Sequence, residues 1–264
     1  MRYPIVAIVP TLAFVLFAGS PFRQLELANG DVTMLPPNAE SRQGYELLQK
    51  QFPNQDQTRI SVVVSFPTGQ PLSPDRIGAL YDLSQMMTKL PNVLRVESPV
   101  NLDPNMRRAD YQALYAGPRN ALAPAVQEAV RQSIGEHIAV LSVVTARPAE
   151  SEEARAIVRA IRAQSQVGDG QALVTGQTAF DLDFIGFIRG HTVIAASFVV
   201  LVTYVLLFLL TGSIVLPIKA VVTNLLSISA SFGAMVWIFQ QGHLSAQLNF
   251  TPASLGLVST DARI

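Results

Sequence analysis

Polar and apolar positions are unevenly spread along this chain. Between residues 191 and 242 only Lys219 carries a full charge at neutral pH, and two long apolar runs fill the stretch. The first, TVIAASFVVLVTYVLLFLL over residues 192–210, comes close to the roughly twenty residues an α-helix needs to cross about 30 Å of hydrocarbon. Thr211-Gly212-Ser213 breaks it, and AVVTNLLSISASFGAMVWIFQQG over residues 220–242 supplies the second. Backbone amides in lipid must be satisfied within their own segment, so these runs predict a transmembrane hairpin over 191–242 rather than buried strands. A third charge-free run, PIVAIVPTLAFVLFAGSPF, follows Arg2 and predicts a first transmembrane helix over 1–22. A cleaved signal peptide is the alternative there, but Phe17-Ala18-Gly19-Ser20 makes a poor small-x-small cleavage site.

Residues 23–190 change periodicity repeatedly. Residues 39–52 place Tyr45, Leu47, Leu48 and Phe52 near one helical face. TRISVVVSF over 58–66, bounded by Pro67 and Gly69, predicts a strand. Ser73 as cap, Pro74 at the first position and Asp75 in the first turn predict a helix carrying Ile77, Leu80, Tyr81 and Leu83 on to Leu90. Residues 93–100 read as a second strand, and 103–135 as a helical insertion broken by Gly117, Pro118 and Pro124. HIAVLSVVT over 137–145 is a third strand. In the helix expected over 148–165, Glu152 and Glu153 are spaced from Arg155, Arg159 and Arg162 for i,i+3 and i,i+4 pairing. A fourth strand is expected at 172–175. The order strand, helix, strand, insertion, strand, helix, strand is that of a ferredoxin-like α+β domain, a fold that decides no function by itself. After it, Gly176 is expected to make a turn and Thr178 to cap a helix over 180–190 that runs into the membrane, with ligand binding by this stretch as the lesser reading.

Composition narrows the function classes. Of 264 residues 49% are hydrophobic and 14% charged, with most of the charge between Arg23 and Arg189, so a domain of soluble composition lies between apolar ends. A formal net charge of zero, with no basic stripe, gives nucleic acid no electrostatic footing. Cysteine is absent, which excludes disulfide scaffolds and thiol chemistry. His137, His191 and His243 share no ligand spacing, and neither a GxSxG elbow nor a phosphate-binding glycine loop occurs. No catalytic, cofactor-binding or metal-binding residue is therefore assigned, no cofactor is expected, and the chain is not read as an enzyme. Arg2 and Lys219 mark the cytoplasmic side and put residues 23–190 outside the cell membrane. In the last apolar run Ser227 with Ser231, Ser229 with Gly233 and Ala230 with Ala234 give small residues at four-residue spacing, which suits close helix packing. Asn224, polar at membrane depth, is expected to bond a neighbouring helix rather than to form a transport site.

Residues 207–252, LFLLTGSIVLPIKAVVTNLLSISASFGAMVWIFQQGHLSAQLNFTP, resemble the MMPL branch of the resistance-nodulation-division (RND) transporters. The resemblance rests on Leu216 to Lys219, Asn224 to Ser227, Phe232-Gly233 and Phe239 to Gly242. Upstream, Leu35-Pro36-Pro37 with Glu40-Ser41-Arg42 and Tyr45 looks like the start of a porter domain, and TGQTA from Thr175 like its exit. The hairpin wording is nearer the second of the two similar halves of such transporters.

The resemblance implies three spans, a ferredoxin-like porter-type domain and a part in a proton-driven exporter of lipids or hydrophobic compounds. Expected partners are membrane lipid, the remaining half or other subunits, and a lipid or hydrophobic substrate. The family's Gly-x-x-x-Asp-Tyr proton-relay helix has no counterpart in residues 243–264, which read as a truncated tail; Asp261 lies in no such motif, and the chain alone is expected to be inactive. A membrane-anchored sensor or assembly module, binding a ligand or partner through its outer domain, is the competing reading.

Overall fold

The computed structural model describes residues 4–25, 32, 35–52, 57–118, 121–248 and 250. Contacts divide the chain into two compact units, one of Leu48–Phe184 and one of Met1–Leu47 with Ile185–Ile264.

The first unit is built on strand β1, Thr58–Ser65, whose alternate residues Ile60, Val62 and Val64 are fully buried. Helix α3 (Pro74–Thr88) follows, then β2 (Val93–Glu97), α4 (Arg108–Ala116), α5 (Pro124–Ser133), β3 (Ile138–Thr145) and α6 (Glu152–Ala163). A short hairpin of β4 (Gln166–Val167) and β5 (Gly170–Thr175) ends it, and α7 (Gln177–Thr211) begins directly after. Before β1 comes α2, Glu40–Gln51.

The sheet is antiparallel in the order β2-β3-β1-β5-β4. Register aligns Val143 with Ile60 and Val96, Leu141 with Val62, and Ala139 with Val64, so these positions share one apolar face. Ile77, Leu80 and Met87 of α3 and Ile157, Val158 and Ile161 of α6 join that face in a single core cluster. Each such side chain contributes about 1.5–3 kcal/mol by leaving water. The helices form for local reasons as well. Ser151 Oγ accepts from the Ala154 amide at 3.2 Å and caps α6, while Ser73 holds the cap position of α3 without a side-chain bond.

Residues 103–135 hold two distinct helices, α4 ending at Gly117 and α5 starting at Pro124, tied down by tyrosines. Tyr111, fully buried, accepts at its hydroxyl from the Leu102 and Asp103 amides at 2.8 and 3.0 Å, and Tyr115 donates to the Pro99 carbonyl. Burial pushes the Tyr115 hydroxyl up to about 12. In α6 Arg155 attracts Glu152 at the expected three-residue spacing, but the hydrogen-bonded pairs reach further: Arg159 back to Glu152, and Arg162 out of the helix to Asp183 of α7. Gly176, with φ of 111°, makes the expected turn, but α7 already starts at Gln177 and the Thr178 hydroxyl is buried without a partner, so Thr178 is not the cap.

The second unit is helical. Helix α1, Pro4–Gly19, contains Pro10 and continues into a 3₁₀ turn, Ser20–Gln24. Gly212, at φ 64°, ends α7, and α8 (Val215–Met235) passes into a π-helical turn, Val236–Gln240. Among the described residues two helices are long and apolar enough to cross a membrane, α7 and the 26-residue run of α8 with its π turn. The neighbour on which α8 packs is α1, at Ala18 and Gly19, with Phe22 and Phe232 rings 5.6 Å apart. The tail from residue 251 and the Asp261 region lie outside the described residues.

Candidate functional site

The histidines are the first residues to place, because a metal or acid–base site would need them together. Each instead faces a backbone carbonyl: His137 Nδ1 lies 3.0 Å from Gly69 O, far off in sequence, His191 Nδ1 2.8 Å from Phe187 O, and His243 Nδ1 3.0 Å from Trp237 O. Among the described residues no group of three His, Asp or Glu side chains is arranged to hold a metal.

In the first unit the face of the sheet opposite the core carries Ser61, Val63 and Ser65 of β1, all half-buried. Val63 aligns with Val140 on one side and with Leu173 on the other, and Leu173 is 53% exposed. A row of hydroxyls lies beside this apolar row, Ser142 and Thr175 flanking Ser61. At the same end of the sheet Glu97 accepts from both Arg59 and Arg95, and Arg95 also donates to Gln57 at 2.7 Å. Loss of water pushes the Glu97 carboxyl upward, but the two guanidinium groups outweigh it and hold the group below the usual carboxylate range. The face is thus amphipathic, with an apolar strip and a cationic edge carrying one more positive charge than negative.

Two clips hold the unit's ends. Arg76, stacked 4.6 Å over the Phe66 ring, forks onto Asp169 in the β4–β5 turn, and its hydrogen bonds draw the Asp169 carboxyl below its ordinary value. Arg162 of α6 forks onto Asp183 of α7 at 2.6 and 2.8 Å, next to the stacked Phe180 and Phe184 rings. Along α3 an open groove of about 700 Å³ is lined by Tyr81, Asp82, Gln85, Met86, Lys89 and Leu90.

In the helical unit the contact is tight. A Cβ on Gly233 would meet Gly19 Cα at 2.9 Å and Ala18 C at 3.0 Å, so only glycine permits this crossing. Beyond it Gln241 donates to Gln24 at 2.9 Å, and the His243 ring stacks on Trp237, 4.3 Å between centroids. Of the small-residue pairs named from the sequence, Ser229 and Gly233 face α1, whereas Ser231 bonds the Ser227 carbonyl of its own helix. Asn224 is exposed and makes no side-chain hydrogen bond among the described residues. The π turn and the Gln24–Gln241 bridge were not expected from the sequence, since no residue type in Val236–Gln240 signals a wider helical turn.

A helical unit with two membrane-length helices, joined by continuous helix to a domain with an antiparallel sheet, defines a membrane protein with a sizeable domain set in its chain. The chain belongs to the MMPL family, whose model matches residues 33–258. It is 27% identical over 255 residues to the trehalose monomycolate exporter MmpL3 of Mycobacterium tuberculosis, a match covering 97% of this chain and 24% of that exporter. It is likewise 27% identical over 254 residues to MmpL11 of Mycolicibacterium smegmatis, an exporter of mycolic acid-containing lipids, covering 95% of this chain and 23% of that protein. A membrane protein of Streptomyces coelicolor is 28% identical over 262 residues, 99% of this chain and 30% of that one. The chain therefore spans about a quarter of the length of the curated relatives it matches.

Proposed function

We propose that this chain is part of a proton-driven exporter of lipids or other hydrophobic compounds, set in the cell membrane with its sheet domain on the outer side. The observation that carries the reading is the family match across nearly the whole chain, to relatives named as exporters of acylated lipids. The fold agrees with a porter-type domain. Setting aside the two-residue β4, the order β2-β3-β1-β5 with α3 and α6 on one face supports reading the domain as ferredoxin-like, and an amphipathic open face is suited to amphiphilic cargo. Three spans are the reading of the helical unit. The 16 residues of α1 rise about 24 Å. The five-residue 3₁₀ turn after them adds about 10 Å, enough together for the hydrocarbon layer. The domain limits are taken as 23–190, with the spans at 1–22 and within 191–242.

Proton coupling needs ionisable groups inside the membrane. The segments read as spans contain no carboxylate, so the relay belongs to other helices of the assembled transporter, and the chain by itself is inactive. The test is lipid movement in sealed vesicles containing the complete assembly from the producing cell, with a fluorescent acyl lipid as cargo. An imposed proton gradient should drive accumulation that an uncoupler abolishes, and vesicles carrying residues 1–264 alone should show none. Gradient-independent movement, or none with the complete assembly, would sink the reading.

A further inference from the structure

The β4–β5 hairpin turns through Gly168, at φ 60°, and the exposed Asp169, and re-enters the ladder at Gly170 opposite Val167. Gly170 is buried, and no larger residue fits there: a Cβ would stand 2.6 Å from the Phe66 ring and 2.7 Å from the Ser65 carbonyl oxygen. The sheet thus imposes an Asp–Gly step, the sole one in the sequence, at an exposed turn. Such a step is chemically labile, because without a Cβ on the second residue its amide nitrogen can close on the aspartate side chain. The Gly170 nitrogen adds to Cγ of the protonated carboxyl, a C–N bond forms and water leaves, giving a five-membered succinimide. Water then opens the ring at either carbonyl, and opening at the former main-chain carbonyl leaves isoaspartate, with the chain running through Cγ. No oxidant or cofactor takes part.

The reacting carboxyl is guarded. Arg76 donates to both Asp169 oxygens, at 3.0 Å to Oδ1 and 2.5 Å to Oδ2, and to the Gln70 carbonyl at 3.2 Å. Its side chain is 11% exposed and stacked over Phe66, so the guanidinium is fixed on several sides. Its hydrogen bonds hold the Asp169 carboxyl below its ordinary value, and an ionised carboxylate is a poor acceptor for a nitrogen nucleophile. Ring closure also removes one of the two oxygens as water and makes the other an imide carbonyl, so it must release the fork. The Phe66 ring that excludes a side chain at Gly170 is the same ring that seats Arg76.

We infer that Asp169–Gly170 is a site of spontaneous isoaspartate formation that the Arg76 fork protects. The product cannot remake the clip, since its carboxylate sits one carbon nearer the main chain and the added chain atom drives Gly170 against Phe66 and Ser65. Isomerisation therefore opens the β4 edge of the sheet. The inference is independent of the transport reading, because every group in it lies in the sheet domain and none depends on cargo.

The test ages the chain in phosphatidylcholine–phosphatidylglycerol nanodiscs at physiological temperature and neutral pH. Isoaspartate is read in the tryptic peptide 163–189 by electron-transfer fragmentation, which separates it from aspartate at equal mass; Asn29–Gly30, which can give isoaspartate by deamidation, falls in another peptide. Arg76→Gln should speed formation about two- to fivefold over wild type, the range expected from losing a fork whose acidic partner is half exposed. Arg76→Lys, which keeps the charge but not the fork, should fall between, and it decides alone where circular dichroism finds Arg76→Gln unfolded. In urea all three should age alike and faster than the folded wild type. Folded variants that age no faster than wild type would overturn the guard, as would a folded wild type that ages as fast as in urea. A peptide free of isoaspartate even in urea would overturn the site itself.

Discussion

The closest backbone approach in the helical unit gives a prediction whose size follows from the coordinates. Replacing Gly233 by Ala puts a methyl group 2.9 Å from Gly19 Cα and 3.0 Å from the Ala18 carbonyl carbon, and closer still to its oxygen. A carbon and a carbonyl oxygen normally rest about 3.3–3.6 Å apart, so α1 and α8 must separate by on the order of 1 Å. A gap of that size forfeits roughly a quarter to a half of each dispersion contact along the crossing. Overpacking of this kind costs about 1–3 kcal/mol, and the better helix propensity of alanine returns up to about 1 kcal/mol. The net loss is therefore on the order of 1–2 kcal/mol. Gly19→Ala is the internal comparison. Its Cβ would sit 3.3–3.4 Å from Ser229 and Ala230, so a shift of tenths of an ångström suffices and the cost stays below about 1 kcal/mol. Denaturant unfolding in micelles measures both, and oxidative cross-linking of Gln24→Cys with Gln241→Cys, whose native side chains touch at 2.9 Å, reports whether the helices still meet. Gly233→Ala should lower cross-link yield clearly and Gly19→Ala slightly. Equal stability and yield for Gly233→Ala and wild type would refute the account of the crossing.

Two further outcomes test the sheet domain. Tyr111→Phe removes the acceptor shared by the Leu102 and Asp103 amides, and chemical denaturation should show a loss of about 1–3 kcal/mol; a loss under about 0.5 kcal/mol would mean water replaces the hydroxyl. The Arg76–Asp169 clip makes stability pH-dependent in one direction. Because the folded carboxyl is held below its ordinary value, the clip's contribution is complete above the unfolded pKa of about 3.9 and fades as pH falls through the lower folded one. The difference in Tm between wild type and Asp169→Asn should thus be constant from neutral pH down to about 5 and vanish in strong acid. A difference that grew on acidification would contradict the sign.

The physical reasons for what the sequence did and did not disclose differ from element to element. Strand β1 was legible because its period of two, Ile60, Val62 and Val64, is set by one buried face, and the register with β3 and β5 keeps that face intact. The apolar runs in α7 and α8 were legible because hydrocarbon thickness fixes a length that few soluble elements reach. Strand β4 was missed since two residues carry no period, and the Gly168–Asp169 turn that makes the hairpin is stabilised by Arg76, 93 residues away from Asp169. Charge spacing in α6 misled for a similar reason. Glu152, Arg155, Arg159 and Arg162 lie on neighbouring turns, but surface pairs at three or four residues' distance are worth only a few tenths of a kcal/mol, so Arg159 takes Glu152 two turns back and Arg162 a bidentate partner on another helix.

The α8 stripes show the same limit in lipid, and there it bears on function. Ser227 with Ser231 and Ser229 with Gly233 have identical spacing, and spacing alone ranks neither above the other as a contact face. What separates them is that Gly233 presents no Cβ to the Ala18 backbone, whereas Ser231 satisfies its hydroxyl on its own helix and needs no neighbour. A glycine with a backbone against it and a glycine with nothing near it are therefore different statements written with one letter. Gly233 holds the crossing with α1 closed, a role that spacing alone does not reveal.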